Sequence, residues 1–348
     1  MDEYKTNARE SKKIMMKAVH QAGWGGREQL TLKNVRKPQG NEKDEGKMLV
    51  RVAAVSMHAG DHHMLTGRPY MIRIVVGRRE IPGMDFAGVV VEDSSGSFTP
   101  GERVFGTTDM ACGAFAEYVC VKRTSTARIP SGVDFATAAA VPTSAMTAMQ
   151  ALRVARPVAK NDRVLVHGAS GGVGSFAVQL AKAAGAHVTG VCSSKNRDFV
   201  REMGADKVVD YTVGETPSGE YDRIIDLVGN CSMSTWRTLL KADGNLIAVS
   251  LPNPESEWVP VSMFRVLLSN SFFSQKRFHL FMQEVHTADL ETLATMLQDG
   301  SLRPAIGQRL YGLSSIPDAL STHSLTLGLG HTVGKTVVHV HDCTDVLA

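Results

Sequence analysis

Val164-Leu-Val-His-Gly-Ala-Ser-Gly-Gly-Val-Gly174 is the stretch that decides how this chain is read. An apolar strand runs into a glycine-rich turn. The following residues, Ser175 to Ala184, carry Ala177, Leu180, Ala181 and Ala184 on one helical face. Gly185 then supplies a left-handed C-cap. Gly171 and Gly174 fill the second and third glycine places of a dinucleotide fingerprint, and Ala169 stands in the first. At such a turn a side chain would hold the backbone away from a pyrophosphate. Bare N–H groups and the helix dipole stabilise its charge instead. A glycine loop alone is weak evidence, but here strand, loop, helix and second strand occur in order within one βαβ unit.

That second strand, His187 to Cys192, ends without Asp or Glu and continues Ser193-Ser194-Lys195-Asn196-Arg197. A carboxylate there would accept from the ribose hydroxyls of NAD. Hydroxyls and cations suit a 2′-phosphate, so NADPH is the expected cofactor.

Outward from this unit, strands and helices alternate, the pattern of a parallel sheet covered on both faces. Further strands are expected at Val164 to His167, Lys207 to Asp210, Arg223 to Val228 and Asn245 to Ser250, and a second helix at Asn196 to Met203, capped by Asn196 and stopped at Gly204. Before Thr143 the texture is mostly β, with strands expected at Met48 to Ser56, Gly88 to Glu92, Arg103 to Gly106 and Ala114 to Val121. Turn-rich Ser94-Ser95-Gly96-Ser97 and Thr99-Pro100-Gly101-Glu102 separate them. After Ser274 a helix with Leu290, Leu293 and Met296 on one face leads to a last strand, Lys335 to Val340.

Bulk properties exclude several classes. The 348 residues exceed one simple core, and 43% hydrophobic with 21% charged residues is ordinary for a soluble protein. The net charge of +3 is spread without a basic stripe, so no nucleic acid is expected. No apolar run is long enough for a membrane span, and Met1 to Lys13, with Asp2, Glu3 and Glu10, reads as a leader rather than an address. Five cysteines without a C-x-x-C pair argue against a disulfide framework and fit a reducing, cytoplasmic setting.

Collinear segments carry a family likeness: Ile81-Pro-Gly-Met-Asp-Phe-Ala-Gly-Val-Val90, Thr99-Pro-Gly-Glu-Arg-Val-Phe105, Gly113-Ala-Phe-Ala-Glu-Tyr-Val119, Thr147-Ala-Met-Gln-Ala-Leu152, the glycine loop, Met203-Gly-Ala-Asp-Lys-Val-Val-Asp-Tyr211 and Gly334-Lys-Thr-Val-Val338. From about residue 15 to 340 the chain resembles zinc-independent medium-chain dehydrogenases/reductases of the quinone oxidoreductase (zeta-crystallin-like) branch.

The resemblance implies an α/β protein. A GroES-like, β-rich catalytic domain (1–143 and 276–348) holds an inserted Rossmann doubly wound parallel sheet (144–275). It places Ser170, Gly171, Gly172 and Val173 on the pyrophosphate. Ser193, Ser194, Lys195 and Tyr211 fall near the 2′-phosphate, and Thr147, Ser250 and His331 face the nicotinamide side. The three catalytic zinc-ligand places of alcohol dehydrogenases fall at His58, Met84 and Thr143, a poor donor set, so no metal is expected.

His58, His63 and Tyr70 are the catalytic candidates. A histidine at 58, where relatives commonly carry Asn, could donate to an acceptor oxygen or supply a proton. A metal site on His58, His62, His63 and Asp61 is the less favoured reading of that cluster. The resemblance thus implies NADPH-dependent reduction of quinones or α,β-unsaturated carbonyls by a homodimer, with Phe272 and Phe273 at the joining sheet edge, and no membrane partner. Alternatives are an NADPH-binding regulatory or RNA-binding protein with little turnover and an acyl-type enoyl reductase. For the last, Arg68, Arg73, Arg78 and Arg79 are the candidate groove for a phosphopantetheine arm.

Overall fold

The computed structural model describes residues 14–39, 46–249, 277–327 and 333–341. The first half is β-rich. Strand β1, Met15–Gln21, pairs antiparallel with β2, Leu30–Arg36. Then follow β3, Lys47–Met57; β4, Asp85–Asp93; β5, Arg103–Thr107; β6, Tyr118–Lys122; and β7, Thr126–Arg128. Between β3 and β4 lie two short helices, α1 (Ala59–Thr66) and α2 (Met71–Val75). Helices α3 (Phe135–Ala139) and α4 (Pro142–Ala151) lead out of this half.

The expected β6 run from Ala114 starts later, at Tyr118. Its first residues serve another partner: Phe115 O accepts from Val19 N, and Ala116 bridges Ala18 of β1.

The second unit is the parallel sheet. Its strands are β8 (Arg163–His167), β9 (His187–Cys192), β10 (Lys207–Asp210), β11 (Tyr221–Asp226), β12 (Leu240–Ala248) and β13 (Arg277–Leu280), in the order β10-β9-β8-β11-β12-β13 among the described residues. All five adjacent pairs are parallel, and the order reverses between β8 and β11, where doubly wound sheets open their ligand crevice. Helix α5, Gly172–Ala183, begins three residues earlier than its apolar pattern, inside the glycine loop. Helix α6, Arg197–Glu202, follows a 3-10 turn over Ser194–Asn196. Asn196 does not cap it; its side chain reaches Ser170 instead. Helix α7, Met233–Leu239, covers the sheet before β12.

After the sheet the chain returns through α8, Thr287–Gln298, β14, Ile306–Tyr311, α9, Ile316–Leu327, and β15, Lys335–His339. Strand β15 pairs antiparallel with β3, closing the first-half sheet with the end of the chain. On α8, Leu290 and Leu293 are buried as expected, but Leu297 rather than Met296 completes the face.

Two expected boundaries shift. Strand β13 hydrogen-bonds as the sixth strand of the parallel sheet, so the return crossover lies beyond Leu280 rather than at 276. The cut after residue 143 falls within α4, which packs against α5. One apolar cluster runs through both units, joining Phe105, Ala139, Ala145 and Met149 to Val164 and Phe176. Each of its Phe, Met and Val side chains contributes about 1.5–3 kcal/mol on burial, so the junction of the two units is itself core. Phe272 and Phe273 lie outside the described residues.

Candidate active site

The glycine loop is fixed from both sides. Gly168 turns the chain with φ 88°, and a Cβ on Gly174 would meet Gly168 O at 2.1 Å, so the helix start can approach the strand only without a side chain. Ser170 O accepts from Gly334 N at 2.9 Å, and Gly171 forms an isolated bridge with Gly334. The last strand of the first unit is therefore stapled to the loop of the second. Gly171 N donates to Gly168 O at 3.1 Å and so closes the turn, while Gly172 and Val173, partly exposed at the start of α5, present N–H groups to an anion. Ser170, expected on the pyrophosphate, is 4% exposed and its Oγ accepts from Asn196 Nδ2 at 3.1 Å, which holds the loop to the second strand's end.

The corner beyond the second strand differs from its sequence reading in one respect, the partner of Ser194.

 Ser193 is buried, whereas Lys195 is exposed and Tyr211 is 45% exposed. Ser194, however, donates its hydroxyl to Asp210 Oδ2 at 2.6 Å. Asp210 comes from the end of β10, a strand the reading of β9 did not weigh. Hydrogen bonds from Ser194 and Thr212 hold its pKa down to about 2, and Arg197 Nη1 stands 3.6 Å away. Arg197 also pairs with Glu215 at 3.2 Å. Lys195 is thus the cation of this segment left to face a phosphate.

Beneath the loop lies a buried charge cluster. Asp85, the first residue of β4, and Lys335, the first of β15, are fully enclosed, with Lys335 Nζ 3.7 Å from Asp85 Oδ2. Lys335 Nζ also donates to Ser144 Oγ at 3.0 Å. Asp85 accepts from Thr143 Oγ1 at 2.6 Å, Thr143 N at 3.2 Å and Ser56 Oγ at 3.3 Å. Burial pushes the Asp85 carboxyl up and the Lys335 ammonium down, each opposed by the other's charge. The lysine stem passes directly under the loop: a Cβ on Gly172 would lie 3.0 Å from Lys335 Cδ.

His58 joins this cluster. It caps α1, its Nδ1 accepting from Gly60 N at 3.0 Å while Asp61 Oδ2 accepts from His58 N at 2.9 Å. An accepting Nδ1 assigns the ring proton of neutral His58 to Nε2. That atom lies 3.7 Å from Asp61 Oδ2 and 4.0 Å from Asp85 Oδ2. Burial raises Asp61, and the His58 charge opposes the rise.

The other sequence candidates spread around it. Thr147, 6% exposed, donates to Thr143 O at 2.6 Å. His63 Nδ1 contacts Arg68 O at 2.8 Å, and burial lowers its pKa, keeping it neutral at pH 7. Tyr70 is 63% exposed under the Arg73 guanidinium, a rim position rather than a cleft-wall one. Ser250 and His331 lie outside the described residues.

The zinc places do not fit a metal. Thr143 spends its hydroxyl proton on Asp85, Met84 packs with Met64 and Cys112, and the Lys335 ammonium sits where a cation would be repelled. Among the described residues no group of three His, Cys, Asp or Glu could hold an ion, which leaves the His58, His62, His63 and Asp61 reading without a donor set. Sequence reasoning passed over Asp85 and Lys335. The available signal was a charge placed just before an apolar run, Phe86 to Val91 in one case and Val337 to Val338 in the other.

Comparison with known proteins places this geometry in context. Residues 44–131 match the family model for the alcohol dehydrogenase GroES-like domain, and 203–338 match that for zinc-binding dehydrogenase. The chain is 31% identical over 340 residues to a chloroplast envelope quinone oxidoreductase homolog of Arabidopsis thaliana, covering 93% of this chain and 98% of that one. It is 31% identical over 322 residues to the trans-enoyl reductase pgmF of Aspergillus terreus, covering 85% and 86%. The solved quinone oxidoreductase of Coxiella burnetii superposes with a TM-score of 0.81 at 28% identity, over 94% of this chain and all of that one.

Proposed function

Because the chain belongs to the medium-chain dehydrogenase/reductase family, among relatives named quinone oxidoreductases, we propose that it reduces quinones or α,β-unsaturated carbonyls with NADPH and without zinc. One observation carries the reading: a dinucleotide loop rests on a buried Asp85–Lys335 pair, and the metal-ligand places beside it hold His58, Met84 and Thr143.

The nicotinamide, when bound, supplies the hydride. The chain's own residues do the rest. The N–H groups of Gly172 and Val173 bind the pyrophosphate, with Gly171 shaping the turn through its bond to Gly168 O, and Ser193, Lys195 and Tyr211 hold the 2′-phosphate. Thr147 is assigned to the nicotinamide side, as are, on family resemblance alone, Ser250 and His331, which lie outside the described residues. His58 Nε2, its ring fixed by Gly60 and flanked by two carboxylates, is the atom at which we place the proton for the reduced acceptor. His63 and Tyr70 shape the entrance. Hydride addition to a quinone or enone gives a delocalised anion, which hydrogen-bond donors stabilise without a Lewis acid.

The test is oxidation of NADPH, and separately NADH, by 1,4-benzoquinone, 9,10-phenanthrenequinone, an enone and an enal, with and without a chelator. Turnover that favours NADPH and resists the chelator is expected. Chelator-sensitive turnover, or tight NADPH binding with no turnover on any acceptor, would sink the assignment. The relative named trans-enoyl reductase favours the enone arm as the second reading.

A further inference from the structure

The segment from Gly67 to Glu80 carries charge and apolar surface that, Tyr70 at the entrance apart, the reaction does not use. Ile74 is 81% exposed, Val75 71% and Tyr70 63%, all on or beside the short helix α2. Four arginines flank them, against the single carboxylate Glu80 within the segment. Their hydrogen bonds go to backbone carbonyls: Arg73 to Thr66 O and Gly67 O, Arg78 to Gln21 O and Arg79 to Met110 O. The Arg68 side chain is exposed. Among the described residues none of the four forms an ion pair, although Arg123, Arg128, Arg153 and Arg156 elsewhere all do. Met110, 39% exposed, extends the apolar surface beside Arg79.

We propose that this patch docks the protein reversibly on an anionic membrane surface. Ile74, Val75 and Tyr70 enter the headgroup boundary while the guanidinium groups pair with lipid phosphates. Large apolar side chains ringed by cations without a carboxylate partner are the surface that an anionic bilayer complements, whereas a small soluble ligand needs a concave site. The inner face of the same helix supports the placement: Ile72 and Val76 pack against Met64, Met84 and Cys112, and Met84 stands at a former metal-ligand place. A docked α2 therefore sets the wall of the candidate cleft at the interface, where lipophilic acceptors concentrate. This departs from the absence of a membrane partner expected from sequence, which addressed spans rather than surfaces. Among the described residues no helix is long and apolar enough to cross a membrane.

The experiment is flotation of the full chain with two vesicle preparations, phosphatidylcholine alone and phosphatidylcholine with phosphatidylglycerol, at low and high salt. It needs no turnover, so its outcome is separate from that of the reductase assignment. The wild type is expected to float with the anionic vesicles alone and to be released by salt. Ile74→Gln with Val75→Gln, at exposed positions outside the reaction machinery, is expected to weaken partitioning roughly tenfold and to leave turnover of a water-soluble quinone unchanged. Arg68→Gln is expected to weaken it about fivefold. A wild type that stays in solution, or equal binding to both vesicle types, overturns the proposal. So does undiminished binding by the double variant. If sedimentation shows that the double variant dissociates a wild-type oligomer, the patch joins two copies of the chain and the membrane reading falls.

Discussion

Replacing Lys335 by Met tests the buried pair most directly. Asp85 and Lys335 are both enclosed and 3.7 Å apart, so removing the ammonium leaves the carboxylate buried without its counter-charge. Breaking a buried pair from one side typically costs about 3–5 kcal/mol, a large part of the ~5–15 kcal/mol that stabilises a domain. The cost is not fixed, because Asp85 can escape by binding a proton. Burial already holds its pKa above the ordinary carboxylate range, and Lys335 is the charge that opposes the rise. Without Lys335 the folded pKa climbs further, while Thr143 and Ser56 still donate to the carboxyl and Asp61 and His58 still face it. A folded pKa above the unfolded one means the folded chain holds more protons between the two values. Stability therefore falls as pH rises from the unfolded value, about 4, through the folded one, and is level above it. Thermal melts of wild type and Lys335→Met are expected to differ most at mildly alkaline pH and to converge toward pH 5 or so. Adding Asp85→Asn should recover much of the loss and remove its pH dependence. A deficit that is the same at acid and alkaline pH, or a double variant no better than the single one, would refute the reasoning.

Two further outcomes follow from the loop and the phosphate corner. Gly174→Ala is expected to unfold or misfold the nucleotide unit, since its Cβ would meet Gly168 O at 2.1 Å, whereas Gly172→Ala, whose tightest contact would be the flexible Lys335 stem at 3.0 Å, should fold and bind NADPH more weakly. Circular dichroism and NADPH fluorescence titration separate the two. Lys195→Ala is expected to raise the KM for NADPH roughly tenfold, the scale of one lost charge-assisted phosphate contact, and to leave that for NADH unchanged; an equal effect on both cofactors would move the 2′-phosphate site elsewhere.

How much of this was legible in the sequence depends on how far apart the interacting residues lie. The βαβ unit announced itself because its strand, loop and helix are contiguous, and local sterics at Gly168 and Gly174 demand glycine whatever the rest of the chain does. The closing strand at Lys335 and the parallel sheet followed from apolar period and family resemblance. The partners did not follow. Ser194 read as a phosphate ligand until β10 brought Asp210 beside it, and Asn196 read as a helix cap until the loop brought Ser170 within 3.1 Å. Asp85 and Lys335 are separated by most of the chain and meet only because β15 pairs with β3, which in turn pairs with β4. A charge opening an apolar run has two readings, a solvated strand end or a buried pair, and only a partner from another strand separates them. The site's chemistry follows the same division. The loop that receives the nucleotide is local, but the cation beside the former metal places arrives from the far end of the chain. A nearby sequence window sees only His58, Met84 and Thr143, and so records which metal ligands are missing without showing what charge stands in their place.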